Sequence, residues 1–142
     1  LTKKVNIASA IRIQNVQVTG FKVKSSGKES KRQKAKNIDR LKICFDALAN
    51  SVVGSGSEKF FIRIINPLGE TIAVEEMGGG ILKNSQNGDD IRYTKIAEVD
   101  YNNEDTNVCT TWDSAHDLIK GEYQVEVYNK GYFVGKSSYK LK

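Results

Sequence analysis

Hydrophobic and polar residues alternate along most of the chain, which is the pattern of half-buried β-strands. The strictest example is the segment 41–47, in which every second side chain from Leu41 onward is apolar. Near the end of the chain Tyr123, Val125 and Val127 repeat this spacing and lead into Asn129-Lys130-Gly131. Since Asn129 and Gly131 tolerate the positive φ of a tight turn, the chain is predicted to end in a β-hairpin.

Eight segments are predicted to be strands, and no long segment has the period of a helix. A break in the spacing near Asn15 predicts a β-bulge or a change of sheet there. Between the strands we expect an exposed polar loop at 25–37, a turn at 66–69 with Pro67 in its second position, and a mobile stretch at 78–88. The predicted strands span 11–23, 41–47, 60–65, 70–77, 91–101, 107–112, 122–128 and 132–141.

Length and composition indicate one all-β domain over residues 1–142, with 1–9 an extended N-terminal arm or linker. Hydrophobic residues make up 39% of the 142 positions and charged residues 27%, as in a small β-sandwich in which each sheet has one solvent-exposed face. No apolar run has the roughly 20 residues of a membrane helix, so we expect no membrane insertion by this segment. No signal peptide is visible and the chain starts at Leu1, so we expect a fragment of a longer protein.

The run before the last two strands has the spacing Leu118-x-x-Gly121-x-Tyr123. It resembles the entry into the penultimate strand of fibronectin type III and related immunoglobulin-like domains, in which a tyrosine hydroxyl bonds a nearby backbone group. The resemblance implies an immunoglobulin-like antiparallel β-sandwich of seven to eight strands, with Tyr123 buried. It departs from antibody domains because Val125 replaces the cysteine and the sole tryptophan, Trp112, comes late. We expect Trp112 in the core.

Positive charge is concentrated in the first 40 residues, which hold 11 Lys and Arg against 2 acids, whereas the remainder holds 11 against 15. Such a concentration indicates a contact for a polyanion, although a solvated loop is the simpler interpretation. No aromatic residue is interleaved with the basic run, so we do not expect a nucleic acid partner. The candidate contacts are Lys28, Lys31, Arg32, Lys34, Lys36 and Arg40.

The sequence gives no support for catalysis, a cofactor or a metal site. The only histidine, His116, has a serine and aspartates within one turn, and such neighbours rarely reach triad geometry. The acidic segment 100–105 offers oxygen ligands for calcium but lacks the spacing of an EF-hand loop. The glycines at 78–80 lack the Lys-Ser/Thr ending of a phosphate-binding loop. We therefore expect a protein that is not an enzyme.

The two cysteines, Cys44 and Cys109, are placed by strand parity on the outer face of neighbouring strands. A disulfide across adjacent strands is geometrically poor, so two reduced thiols are the expected state and a disulfide is the alternative.

Together these patterns favour a non-catalytic interaction or spacer module of a larger bacterial-type surface or envelope protein. We expect an unidentified protein partner and a location in the periplasm or at the cell surface. The alternative is a ligand-binding module for a polysaccharide or other polyanion that uses the basic segment 25–40 and exposed tyrosines. A sugar-binding module should group aromatic side chains on one exposed face, whereas a spacer should have its ends far apart.

Overall fold

The computed structural model of the protein describes residues 10–50, 54–73, 79–114 and 118–142. The predicted arm at 1–9 and His116 lie outside these residues. Within them no helix has the length and hydropathy needed to cross a lipid bilayer. The strands are β1 Ile13–Val23, β2 Glu29–Lys31, β3 Arg40–Ala47, β4 Gly56–Ile65, β5 Gly80–Lys83, β6 Asp90–Tyr93, β7 Lys95–Tyr101, β8 Thr106–Asp113, β9 Gly121–Asn129 and β10 Tyr132–Leu141, and a 3-10 turn covers Ala35–Asn37.

Two antiparallel four-stranded sheets pack face to face. One has the strand order β2-β1-β3-β8 and the other β10-β9-β4-β7, while β5 and β6 form a separate two-stranded sheet. Strands adjacent in the chain, such as β3 and β4 or β8 and β9, lie in different sheets, as in Greek-key sandwiches. The fold is an immunoglobulin-like β-sandwich, as the sequence predicted.

The core lies between the two sheets and is built from the inward positions of the alternating strands. Phe45 of β3 and Phe60 of β4 are fully buried, and their rings meet edge to face across the interface with centroids 5.1 Å apart. Trp112 is 4% exposed and belongs to the same cluster, which confirms its predicted core position. Tyr123, Val125 and Val127 are all buried, as their two-residue spacing requires.

Tyr123 makes the backbone hydrogen bond that the resemblance to immunoglobulin-like domains implies. The Tyr123 hydroxyl donates to the backbone oxygen of Ile119 at 2.8 Å. Gly121 has a φ of +134°, and a Cβ there would come within 2.7 Å of the Pro67 side chain. Leu118 is partly buried against the core. These three residues of the Leu-x-x-Gly-x-Tyr spacing thus fix the start of β9 against the rest of the sandwich.

The turn between β9 and β10 differs from the prediction in one respect. The residues with positive φ are Lys130, at 54°, and Gly131, at 81°, whereas Asn129 pairs with Tyr132 as the last strand position. Asn129 is fully buried, accepts a hydrogen bond from the Ile11 backbone and donates to Lys59 O. Its amide is used for tertiary bonding, so the two-residue turn starts one position later.

The described residues form ten strands rather than seven or eight, because local features divide or add segments. The predicted strand 91–101 is interrupted at Thr94, a buried residue whose hydroxyl accepts from the Ile64 backbone and donates to Ile72 O. The stretch 78–88 was predicted to be mobile, but its residues 80–83 pair with β6. Of the predicted strand 70–77, the described part makes a single bridge, between Thr71 and Ile65.

The predicted irregularity near Asn15 is confirmed. The register between β1 and β3 shifts between Gln14 and Gln17, and Asn15 has a φ of +57°. The bulge lets Ile13 on one side and Val18 on the other contact the same core, despite the break in their spacing.

The expected pair of reduced thiols is wrong, because Cys44 and Cys109 form a disulfide. The predicted placement is nevertheless correct: the two residues are direct partners on the neighbouring strands β3 and β8, and their Cα atoms lie 4.1 Å apart. Parity placed both side chains on the outer face, but only the register shows that they stand opposite each other. The bond crosslinks two strands 65 residues apart in sequence.

Candidate functional site

The basic run after β1 is a docked part of the sandwich, which corrects the expectation of an exposed loop throughout 25–37. Its start forms the short strand β2 against the end of β1. Further on, Ala35 and Ile38 are only 5% and 4% exposed and belong to the core. The spacing of these two apolar residues within a basic segment is the sequence signal for this docking. We call the part that follows β2, residues 32–38, the basic loop.

Backbone hydrogen bonds hold the basic loop against the end of the chain. The Arg32 N–H donates to Gly20 O at 3.0 Å. Lys142 both accepts from the Ala35 N–H and donates from its own N–H to Gln33 O, each at 2.8 Å. These bonds give the basic side chains a defined backbone from which to project.

An open groove follows the basic loop on both sides. The larger part, of about 800 Å³, lies between the loop, β1 and the end of β10. The smaller part, of about 410 Å³, lies between the loop and the segment before β9. Lys34 and Lys142 line both parts, so the two adjoin. We call the whole the cationic groove, and its charged residues are Lys31, Arg32, Lys34, Lys36, Lys120 and Lys142.

The six charges of the cationic groove are not neutralised by protein carboxylates in the part of the chain that the structure describes. None of the six is a member of an ion pair there. The two acids that flank the basic loop in sequence are engaged elsewhere: Glu29 pairs with Arg40, and an Asp39 carboxylate oxygen accepts from the Val23 N–H. A groove with unpaired like charges is a region of positive potential.

The structure brings together four of the six predicted contact residues and adds two others. Lys28 lies in the turn between β1 and β2, where its carbonyl accepts from the Lys24 N–H, and it does not line the groove. Arg40 belongs to β3 and is held by Asp113 and Glu29. Lys120 and Lys142 were not predicted, because they are more than 80 residues away in sequence.

One aromatic side chain lines the larger part of the groove. Tyr139 of β10 is half-buried, accepts a hydrogen bond from the Gly20 N–H and donates one to Arg32 O. The basic run contains no aromatic residue in sequence, but the fold places Tyr139 beside it. Because both bonds are to the backbone, the hydroxyl fixes the ring beside the cations.

Two side chains of the acidic segment considered for calcium make hydrogen bonds to the backbone. Asp105 accepts from the Ala49 N–H and Asn103 from the Asn50 N–H, so the acidic segment holds the residues that follow β3. Among the described residues, no group of three or more histidine, cysteine or acidic side chains is arranged to hold a metal ion. His116, the histidine of the triad considered there, lies outside the described residues.

Comparison with known proteins gives a family and two structural neighbours. No curated protein matches the chain. The alkylpurine DNA glycosylase AlkC of Pseudomonas fluorescens, solved with DNA containing an abasic site analog, superposes with a TM-score of 0.50 and 11% identity. That match covers 93% of this chain and 30% of the glycosylase, so this chain spans less than a third of its neighbour's length.

An immunoglobulin-like protein from Pseudomonas aeruginosa superposes with a TM-score of 0.39 and 14% identity, over 93% of this chain and 96% of that one. A family profile matches residues 14–142, nearly the whole chain. The protein therefore belongs to the family described as "Domain of unknown function (DUF8428)".

Proposed function

We propose that this domain is a non-catalytic interaction module that binds a polyanion in the cationic groove. The observation that carries the proposal is the convergence of six cationic side chains, from three separate parts of the chain, on one open groove. None of the six pairs with a carboxylate among the residues that the structure describes. Like charges that line one groove repel one another, and a bound polyanion would relieve that repulsion while releasing its own counterions.

The way in which the groove is built favours binding over simple solvation. A solvated basic loop needs no fixed backbone, whereas here Arg32 and Ala35 are tied by backbone bonds to β1 and to Lys142. Ordering the loop during folding means that less conformational entropy is lost when a ligand binds.

A second role, as a spacer within a longer protein, is compatible with the first and has its own support. The chain enters the sandwich at Ile11, which bonds to Asn129 at one end of β9. It leaves at Lys142, just after Leu141 pairs with Gly121 at the other end of β9. Eight residue steps along β9 separate these ends by about 27 Å. Tandem neighbours would therefore be joined in line.

The disulfide supports a location outside the cytoplasm. Crosslinks such as Cys44–Cys109 form and persist in oxidising compartments and are rare in the reducing cytosol. We therefore propose a periplasmic or cell-surface protein as the context of the module.

The DNA in the glycosylase structure is a ligand of that protein, and a likeness at 11% identity shows a shared fold alone. Nucleic acid is therefore one of the polyanions to be compared and not a starting assumption.

The proposal is tested with two variants that lose the same charge. The groove variant replaces Lys31, Arg32, Lys34 and Lys36 with glutamine. The control variant replaces four exposed lysines outside the groove, Lys22, Lys24, Lys28 and Lys59, with glutamine. Retention on a heparin column is measured for both and for the unmodified chain, with the melting temperature of each as a check on folding.

We expect the groove variant to elute at clearly lower salt than the control variant, and the salt dependence of its binding to be weaker. Both variants should melt within a few degrees of the unmodified chain, since exposed charges contribute little to stability. Equal loss in the two variants would show that net charge alone governs retention. An unmodified chain that passes through at low salt would remove the polyanion and leave the spacer role.

A further inference from the structure

The cations of the groove are separated by neutral groups suited to hydroxyl-bearing ligands. Gln33 and Asn37 line the larger part, and their side-chain amides make no hydrogen bond within the described part of the chain. Each amide offers donors and an acceptor. The Tyr139 ring lies beside them and is fixed by its hydroxyl. Two free amides and one ring face are the groups that bind sugar hydroxyls and the apolar face of a sugar ring.

The identity of the cations argues against phosphate-specific recognition. Five of the six are lysines and only Arg32 is an arginine. Arginine presents a planar fork that matches phosphate bidentately and stacks on bases, whereas lysine acts as a point charge. Proteins that bind single-stranded nucleic acid also use several aromatic side chains on which successive bases stack. Here Tyr139 is the only aromatic lining residue among those described. The expected exposed tyrosines are not found, because all six tyrosines are buried or half-buried. A sugar chain in the groove would therefore be held by the cations and amides, with one ring face beside them, and not by a platform of stacked rings.

Resting on the proposed function above, we infer that the ligand is an acidic polysaccharide, with its sulfate or carboxylate groups at the lysines and its hydroxyls at Gln33 and Asn37. The two adjoining parts of the groove meet at Lys34 and Lys142, so a linear chain crossing there contacts both. The disulfide agrees with this ligand, because acidic polysaccharides and oxidising conditions occur together outside the cytoplasm.

The inference is tested by measuring the affinity of the 142-residue chain for four probes at fixed ionic strength. Heparin represents a sulfated polysaccharide and polygalacturonate a carboxylated one. Inorganic polyphosphate carries charge without hydroxyls, and a single-stranded oligonucleotide represents nucleic acid. The variant Gln33→Ala with Asn37→Ala is compared with the unmodified chain, because it keeps every cation of the groove.

We expect at least one polysaccharide to bind more tightly than polyphosphate or the oligonucleotide. The amide variant should lose about tenfold in affinity for that polysaccharide, as the loss of two hydrogen bonds implies, and keep its affinity for polyphosphate. Equal or tighter binding of polyphosphate or the oligonucleotide, or an equal loss for all probes, would overturn the polysaccharide inference and leave the polyanion function intact. Failure to bind any of the four would overturn both.

Discussion

At the scale of single residues, Tyr123 shows how a local spacing specifies a tertiary bond. Its hydroxyl is four residues from its acceptor, Ile119 O, and its ring is 1% exposed within the core. Both the ring and the acceptor belong to one short segment, so the sequence could predict the bond without knowledge of the strand order.

Replacing Tyr123 with phenylalanine should lower the free energy of unfolding by about 1 kcal/mol, because the ring keeps its packing and the Ile119 carbonyl loses its partner. Urea unfolding at neutral pH measures the difference. Tyr93→Phe is a suitable control, since that ring is half-buried against Phe61 and no hydrogen bond from its hydroxyl is described. A Tyr123 substitution as mild as the control would mean that the bond contributes little.

Burial also makes the stability depend on alkaline pH. Desolvation raises the pKa of Tyr123 above its ordinary value of about 10, so the folded state retains this proton longer than the unfolded chain. The stability associated with the proton is therefore complete below about pH 10 and is lost as the pH rises through the folded pKa. The difference between the unmodified chain and Tyr123→Phe should shrink from pH 8 to pH 10.5. A difference that stays constant would contradict this assignment.

At the scale of the elements, the turn between β9 and β10 depends on contacts with another hairpin. Gly131 has a φ of +81°, and a Cβ there would lie 2.2 Å from Ser85 Oγ and 2.6 Å from Lys83 O. Ser85 also binds this turn, donating from its hydroxyl to Lys130 O. The two-stranded sheet of β5 and β6 is thereby fixed against the end of the main sheet, which a mobile stretch would not allow.

Gly131→Ala should cost more stability than Gly88→Ala, which is its matched control. Gly88 has a similar φ of +78° but open space around its Cβ position. Alanine there should therefore lower the free energy of unfolding only by the cost of its left-handed backbone conformation, about 1 kcal/mol. Alanine at Gly131 adds the steric conflict, which costs a further ~1–3 kcal/mol. Thermal unfolding of the two variants gives the comparison. Equal costs would indicate that the β5–β6 hairpin moves away easily.

At the scale of the whole molecule, the disulfide and the core determine stability together. The bond between Cys44 and Cys109 closes a loop of 65 residues and restricts the unfolded chain. In the chain-entropy description, a loop of this size contributes about 4 kcal/mol.

Replacing Cys44 and Cys109 with alanine should therefore lower the free energy of unfolding by about 4 kcal/mol, with the strand order retained. Denaturant unfolding with and without a reducing agent measures the effect. The reducing agent should destabilise the unmodified chain by a similar amount and leave the double variant unchanged. Sensitivity of the double variant to the reducing agent would show that the agent acts elsewhere.

Much of the architecture could be predicted from the sequence because it depends on local periodicity. Side chains of a strand point alternately to its two faces, so the spacing of Tyr123, Val125 and Val127 or of Leu41, Ile43 and Phe45 assigns their faces directly. The bulge at Asn15 and the turn at 66–69 are also local. By contrast, the interruption at Thr94 results from hydrogen bonds to Ile64 and Ile72, which no local pattern contains.

The sequence by itself determined the strand faces, the buried tyrosine and the concentration of positive charge near the N-terminus, since each depends on neighbours within a few residues. Only the tertiary structure decided that Cys44 stands opposite Cys109, and that Lys120, Tyr139 and Lys142 lie beside the basic loop. The physical reason is that sheet order and register result from packing the whole core. A groove assembled from strands far apart in sequence is therefore visible only when the chain is folded.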